Sequence, residues 1–206
     1  MKEERLLILV PTKLCSRRMP LKNMRALGNK LLFCYCLDEL LVSSSLFSYT
    51  KESDIIVATE STSIMGAVES KYDGRVKHFG ISVDLAKRGQ VIDVALHVLS
   101  NINKKYTSLM LVQPNLPFVS AIDYYNAYML FVNGGRTAVQ SIERVEYGVY
   151  QNNGAVFVAD VGQLLGGETR FVEPMNFFLI PEDRSLEIDT EFDFRGAECM
   201  MKGNKR

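Results

Sequence analysis

Much that would fix a function class outright is missing from this chain of 206 residues. It carries no net charge, since 24 Lys and Arg balance 24 Asp and Glu. Nothing global therefore draws it to nucleic acid or to an anionic membrane. No apolar run approaches the roughly 18 to 20 residues of a membrane span. The early run Leu6–Val10 is too short for the apolar region of a signal peptide, and no small-residue cleavage site follows it. Histidines are few, His78 and His97, and the four cysteines (Cys15, Cys34, Cys36, Cys199) show no paired CxxC spacing. Structural zinc is not expected from that set, and the cytoplasm is the expected address. There is no internal repeat, low-complexity tract or linker.

What is present reads as one globular domain over residues 1–206, with 47% apolar and 23% charged residues. Strand-like runs alternate with helix-length segments. Leu6–Val10 is continuous and apolar, as buried parallel strands are. After a Gly28-Asn29 turn, Leu31–Leu41 predicts a helix. Further strands are expected at Asp54–Ala58, Val76–Phe79, Ser108–Val112, Thr137–Ser141, Ala155–Val158 and Asn176–Ile180. Further helices are expected at Ser61–Ser70, Gln90–Leu99, Ala121–Val132 and near Phe194–Met201. Such alternation implies right-handed crossovers and an α/β fold of three layers with a mostly parallel central sheet. Ligands bind beyond the carboxyl ends of strands in such sheets, so the loops after Val10, Ala58 and Val112 are where chemistry is sought.

Two stretches carry chemical meaning. From Arg5 to Leu37 no acidic residue occurs, while Arg5, Lys13, Arg17, Arg18, Lys22, Arg25 and Lys30 are basic. Most of these fall in Pro11-Thr12-Lys13-Leu14-Cys15-Ser16-Arg17-Arg18-Met19-Pro20-Leu21-Lys22-Asn23, directly after the first strand. A triphosphate needs such a loop, with cations at fixed spacing and backbone N–H groups between them. The second stretch is Ser185-Leu186-Glu187-Ile188-Asp189-Thr190-Glu191-Phe192-Asp193-Phe194. Glu187 and Asp189 are two apart in an extended segment, so their carboxylates share one side. Paired carboxylates beside a polyphosphate suit Mg²⁺. The same spacing also suits helix capping, with Asp189 or Thr190 as N-cap and Asp193 in the first turn.

Both stretches resemble the acylneuraminate (CMP-sialic acid) cytidylyltransferases. Their motif after the first strand has the form Pro-Ala-Arg-Gly-Gly-Ser-Lys-Arg-x-Pro-x-Lys-Asn. Ser16, Arg18, Pro20, Lys22 and Asn23 match it outright, and Lys13 and Arg17 keep the charge. The related CMP-KDO synthetases share the Ser-x-Arg-x-Pro-x-Lys part without the Asn, so Asn23 favours the sialic-acid branch. The family's Asp-Ile-Asp-Thr-Glu-x-Asp-x-x-x-Ala-Glu is followed closely by Glu187 to Glu198. Gln113-Pro114 and Asn153-Gly154-Ala155 resemble two further family segments. Lost features are the two loop glycines (Leu14, Cys15 here), an Asp replaced by Arg88, an Arg replaced by Val119, and most of a projecting dimer arm, of which only Ile142–Asn152 remains.

The resemblance implies a Rossmann-like nucleotide-diphospho-sugar transferase fold in a shortened, divergent member. It implies a Mg²⁺-dependent enzyme that moves CMP from CTP to the anomeric hydroxyl of an acidic sugar and releases pyrophosphate. Lys22, Arg18 and Asp189 would be catalytic. Lys13, Ser16, Arg17, Asn23, Gln113 and Asn153 would bind nucleotide or substrate, and Asp189 and Glu187 the metal. The partners would be CTP and an acidic sugar, with no nucleic acid or membrane, in a monomer or an atypical homodimer. The alternatives are a non-catalytic or divergent homologue, or a cytidylyltransferase for another acceptor such as KDO or another nonulosonic acid.

Overall fold

Leu6, Ile8 and Val10 belong to one apolar core, while Leu7 and Leu9 belong to another. Successive strand side chains point to opposite faces, so one uninterrupted apolar run serves both sides of a covered sheet. The computed structural model describes residues 4–16, 18–47, 50–166 and 174–203. In chain order it contains β1 (Arg5–Pro11), β2 (Ala26–Leu27), β3 (Lys30–Leu31), α1 (Leu32–Leu46), β4 (Glu52–Thr59), α2 (Thr62–Tyr72), β5 (Val76–Gly80) and α3 (Val83–Arg88). Then follow α4 (Val91–Asn101), β6 (Ser108–Val112), α5 (Ala121–Asn133), β7 (Ala138–Arg144), β8 (Tyr150–Asp160), α6 (Val161–Gly166), β9 (Met175–Leu179) and α7 (Glu191–Gly203).

The main sheet runs β5-β4-β1-β6-β8-β7-β9. Its first four strands are mutually parallel. β8 is antiparallel to both neighbours, and β9 runs parallel to β7. The predicted mostly parallel three-layer architecture is therefore the one observed, with a single reversed strand. Phe33, Leu37 and Leu40 of α1, Ile64 and Val68 of α2, and Tyr124, Tyr128 and Phe131 of α5 cover one face. Val94, Ala95 and Val98 of α4 and Leu164 of α6 cover the other. Each fully buried Leu, Ile or Phe contributes on the order of 1.5–3 kcal/mol of burial free energy. Cys34 and Cys36 are core residues of α1, and burial pushes the Cys36 thiol well above its ordinary range.

Three small elements escape the periodicity: the β2–β3 ribbon, α3 and α6. The ribbon is a two-residue turn at Gly28-Asn29, where Gly28 adopts φ 62°. The expected remnant of the arm is a plain hairpin. Ile142, Glu143 and Arg144 pair with Asn152, Gln151 and Tyr150, around a 3₁₀ turn at Glu146–Gly148. Of the lost family features, Val119 is a buried core residue, and Arg88 pairs with Asp84 on the surface of α3.

A third, smaller core positions the site. Met19, Leu27, Leu32, Ile188, Phe194 and Ala197 pack together. It joins the basic loop, the ribbon, the acidic segment and α7, elements that lie at opposite ends of the chain.

Candidate functional site

The carboxyl ends of β1, β4 and β6 open into a cleft of about 540 Å³. Pro11, Thr12, Ala58, Gln113 and Pro114 lie in its walls. Thr12 continues the sheet by donating its N–H to Ala58 O at 2.8 Å. Ile81, Ala86, Val91 and Val94, from the α3–α4 region, make an apolar wall.

Eight of the residues singled out by sequence line this cleft: Lys13, Ser16, Arg18, Lys22, Asn23, Gln113, Glu187 and Asp189. Arg17 lies outside the described residues. Asn153 does not line the cleft. It is buried, its Oδ1 accepts from Ser141 Oγ (2.6 Å) and Ala155 N–H (3.2 Å), and its Nδ2 donates to Ser185 Oγ at 3.4 Å. Its neighbour Gly154 supports Gln113. Gly154 has φ 68°, and a Cβ there would stand 2.2 Å from Gln113 Nε2. The Asn153-Gly154 pair thus forms a platform on which the Gln113 side chain lies.

The basic and acidic segments meet here. Lys22, only 8% exposed, donates from Nζ to Ile188 O and to Asp189 Oδ1, both at 2.8 Å. Arg18 Nη2 pairs with the other oxygen, Asp189 Oδ2. Leu21, just before Lys22, adopts φ 56°, a left-handed conformation costly for a branched residue. Asn23 donates from Nδ2 to Lys13 O at 2.9 Å. Its buried Oδ1 has no hydrogen-bond partner among the described residues. Leu14 N–H donates to Glu60 Oε1 at 2.9 Å, which ties the basic loop to the end of β4.

The capping role falls to other residues than Asp189. Thr190 precedes α7, and Asp193 Oδ2 accepts from the N–H groups of Asp189 (3.0 Å) and Thr190 (2.7 Å). Burial opposes the Asp193 charge, but hydrogen bonds from Thr190 and these N–H groups outweigh it and hold the carboxyl below its ordinary value. The Asp189 side chain is therefore free of the helix and faces Lys22 and Arg18.

Glu187 and Asp189 share a donor that the sequence reading passed over. Asn115 Nδ2 lies 3.1 Å from Glu187 Oε1 and 3.4 Å from Asp189 Oδ1. The available signal was its place, three residues after the end of β6, in a loop at the carboxyl end of a central strand. Burial pushes the Glu187 carboxyl above its ordinary value, the hydrogen bond from Asn115 opposes that, and the Asp189 charge adds to it. No group of three or more His, Cys, Asp or Glu among the described residues could hold a metal alone. A pair of carboxylates fits Mg²⁺, which takes one or two from protein and the rest from phosphates and water.

This sheet, with a cationic loop after its first strand and carboxylates facing it, is a Rossmann-like α/β architecture. A cytidylyltransferase family model matches residues 7–87. The chain is 25% identical to the CMP-N,N'-diacetyllegionaminic acid synthase of Legionella pneumophila, over 98% of each chain. Among solved structures, a CMP:2-keto-3-deoxy-manno-octonic acid synthetase complexed with CTP superposes with a TM-score of 0.70 at 11% identity. That match covers 98% of this chain and 100% of the other. The 4-diphosphocytidyl-2C-methyl-D-erythritol synthase of Anaerococcus prevotii follows at 0.64 and 13%, covering 97% and 96%. At such identities the two structures speak for the fold alone. The resemblance carried by the two end motifs is borne out by these comparisons, which find this chain similar to a cytidylyltransferase family model over its first part and to a synthase of a CMP-linked acid sugar over its length.

Proposed function

We propose that this protein transfers CMP from CTP to the anomeric hydroxyl of an acidic, sialic-acid-like sugar and releases pyrophosphate. One observation carries the reading: Arg18 and Lys22 from one end of the chain meet Asp189 from the other inside a single cleft. The relative from Legionella, named for a CMP-linked acid sugar, supports the choice of nucleotide and acceptor class.

In this reading Lys13, Ser16, Arg17, Arg18 and Lys22 bind the phosphates of CTP. The apolar wall of Ile81, Ala86, Val91 and Val94 suits the face of a base. Asn23 supports the loop beside that wall, holding Lys13 O through its Nδ2. Glu187 and Asp189 would hold Mg²⁺, which when bound neutralises charge between the α-phosphate and the attacking hydroxyl. Lys22 is held on Ile188 O and Asp189, so its ammonium is in place to counter charge that develops during in-line attack. Catalysis is then mostly positioning and electrostatics. No helix among the described residues is long and apolar enough to cross a membrane. The cytoplasm is the setting we propose, and the short β7–β8 hairpin suits a monomer or a dimer built through another surface.

A second reading is transfer to another nonulosonic acid, one that carries a basic substituent. A groove of about 800 Å³ that shares Glu187 with the cleft favours it, because its lining includes Glu143, Glu182 and Asp183 and no Lys or Arg, and such a wall attracts a cationic group.

The nucleotide assignment is tested by thermal unfolding with millimolar nucleoside triphosphates and Mg²⁺. CTP is expected to raise the melting temperature more than UTP, ATP or GTP. Equal shifts, or none, count against it.

A further inference from the structure

Two like charges two residues apart in a half-buried segment repel each other. The chain places one neutral group against both. Asn115 is 4% exposed, and its Nδ2 is 3.1 Å from Glu187 Oε1, 3.1 Å from Ile188 O and 3.4 Å from Asp189 Oδ1. Its main chain is engaged as well, since Ile188 N–H donates to Asn115 O at 2.8 Å. Ile188 itself is fully buried in the third core, and Leu116 beside Asn115 is fully buried in the first. The contact thus has a fixed base on both sides.

From this geometry we propose that Asn115 is a positioning residue that sets the spacing and orientation of Glu187 and Asp189 for a divalent cation. The inference rests on the metal role given to that pair above. An amide N–H₂ has two hydrogens and no charge. One hydrogen can go to Glu187 and the other be shared between Ile188 O and the more distant Asp189 Oδ1, where a hydroxyl has one hydrogen to offer and a third carboxylate would add repulsion. When a cation arrives, both carboxylates already face it, and the ordering cost has been met in folding. Partners that orient metal ligands in this way change metal affinity by about 10–100-fold when removed.

The test is direct binding of Mn²⁺, followed by electron paramagnetic resonance, to the full chain with CTP present. Asn115→Ala removes the donor, and Asn115→Leu removes it while filling the volume. Both retain the main-chain pair with Ile188. Mn²⁺ affinity is expected to fall about 10-fold or more in both, with CTP binding in EDTA unchanged within about 2-fold. The metal concentration for half-maximal turnover should rise in step. Unchanged Mn²⁺ affinity in either folded variant overturns the proposal, as does a fall in melting temperature with no change in affinity. Failure of both variants to fold also overturns it, because the role would then be structural. If the wild type itself binds no Mn²⁺ with CTP, the metal role of Glu187 and Asp189 falls first and takes this inference with it.

Discussion

The two halves of the sheet are built to different standards. In β5, β4, β1 and β6 every strand is parallel, and the three inner ones have both faces covered, which leaves Leu6 through Val10 without exposed surface. Among β8, β7 and β9 the strand direction is mixed, with β8 reversed, and one face is thinly covered. Phe177 of β9 is 62% exposed, Leu179 is 45% exposed, and Val149 and Tyr150 at the hairpin are exposed too. The first half places the phosphate loop, the apolar wall and Gln113. The second half, to which the proposed function assigns the acceptor, carries the short β7–β8 hairpin. Under the proposed function, the contrast teaches that the half assigned to the nucleotide is built more completely than the half assigned to the acceptor.

The largest effect that sharpens this contrast is expected at Asp189. Asp189→Asn keeps the shape and removes the charge opposite Lys22 and Arg18. Pyrophosphate release should fall about 100-fold or more. The fold should survive with a moderate fall in melting temperature from the lost pairs with Lys22 and Arg18, and with none from capping, which Thr190 and Asp193 perform. An active variant would remove Asp189 from the chemistry. Next is Asp123, which accepts from Arg184 Nε at 2.8 Å and Nη2 at 3.0 Å and ties α5 to the turn before the acidic segment. Asp123→Ala leaves Arg184 with only the longer Asp183 contact at 3.8 Å and removes the capping box of α5, and should cost about 3 kcal/mol in urea unfolding.

That pair also sets a pH dependence. Burial opposes the Asp123 charge, but Arg184 and Ser120 outweigh it and hold the carboxyl below its ordinary value of 3.8. A depressed carboxylate contributes stability above its unfolded value that is lost as pH falls through the folded one. Wild-type stability should therefore drop on acidification below about pH 4, and Asp123→Asn should drop less over that window. Equal slopes would contradict the assignment.

Smaller effects test the joint between the halves. Gly154→Ala places a Cβ against Gln113 at a left-handed position, so stability should fall by about 1–2 kcal/mol. KM for CTP should rise with little change in kcat. Smallest is Leu21, 53% exposed at φ 56°. Leu21→Asn relieves the left-handed strain and should raise stability by roughly 0.5–1 kcal/mol without loss of turnover.

The strands and long helices were legible because apolar runs and helical periods report burial, and the first half of the sheet buries nearly everything. The end motifs were legible because Lys22, Asn23 and Asp189 keep their spacing in the chain. What lay hidden depends on contacts between distant residues. Asn115 carries no signal of its own until Glu187 and Asp189 are brought against it. Asn153 reads as a ligand until Ser141 and Ser185 are seen to occupy it. The choice of Thr190 over Asp189 as cap turns on where Asp193 points, which spacing alone left open. The β2–β3 ribbon, α3 and α6 are too short for a periodic signal.

The central claim, that this is a working CTP-dependent transferase for an acid sugar, is tested most directly by following pyrophosphate release from CTP and Mg²⁺. The acceptors are a panel of sialic-acid-like sugars, KDO and other nonulosonic acids, including members with basic substituents. The account predicts release with at least one acid sugar, dependent on both CTP and the sugar and lost in Asp189→Asn. No release with any of them, from a protein that CTP nevertheless stabilises, would contradict the claim and leave a nucleotide-binding homologue without transfer activity.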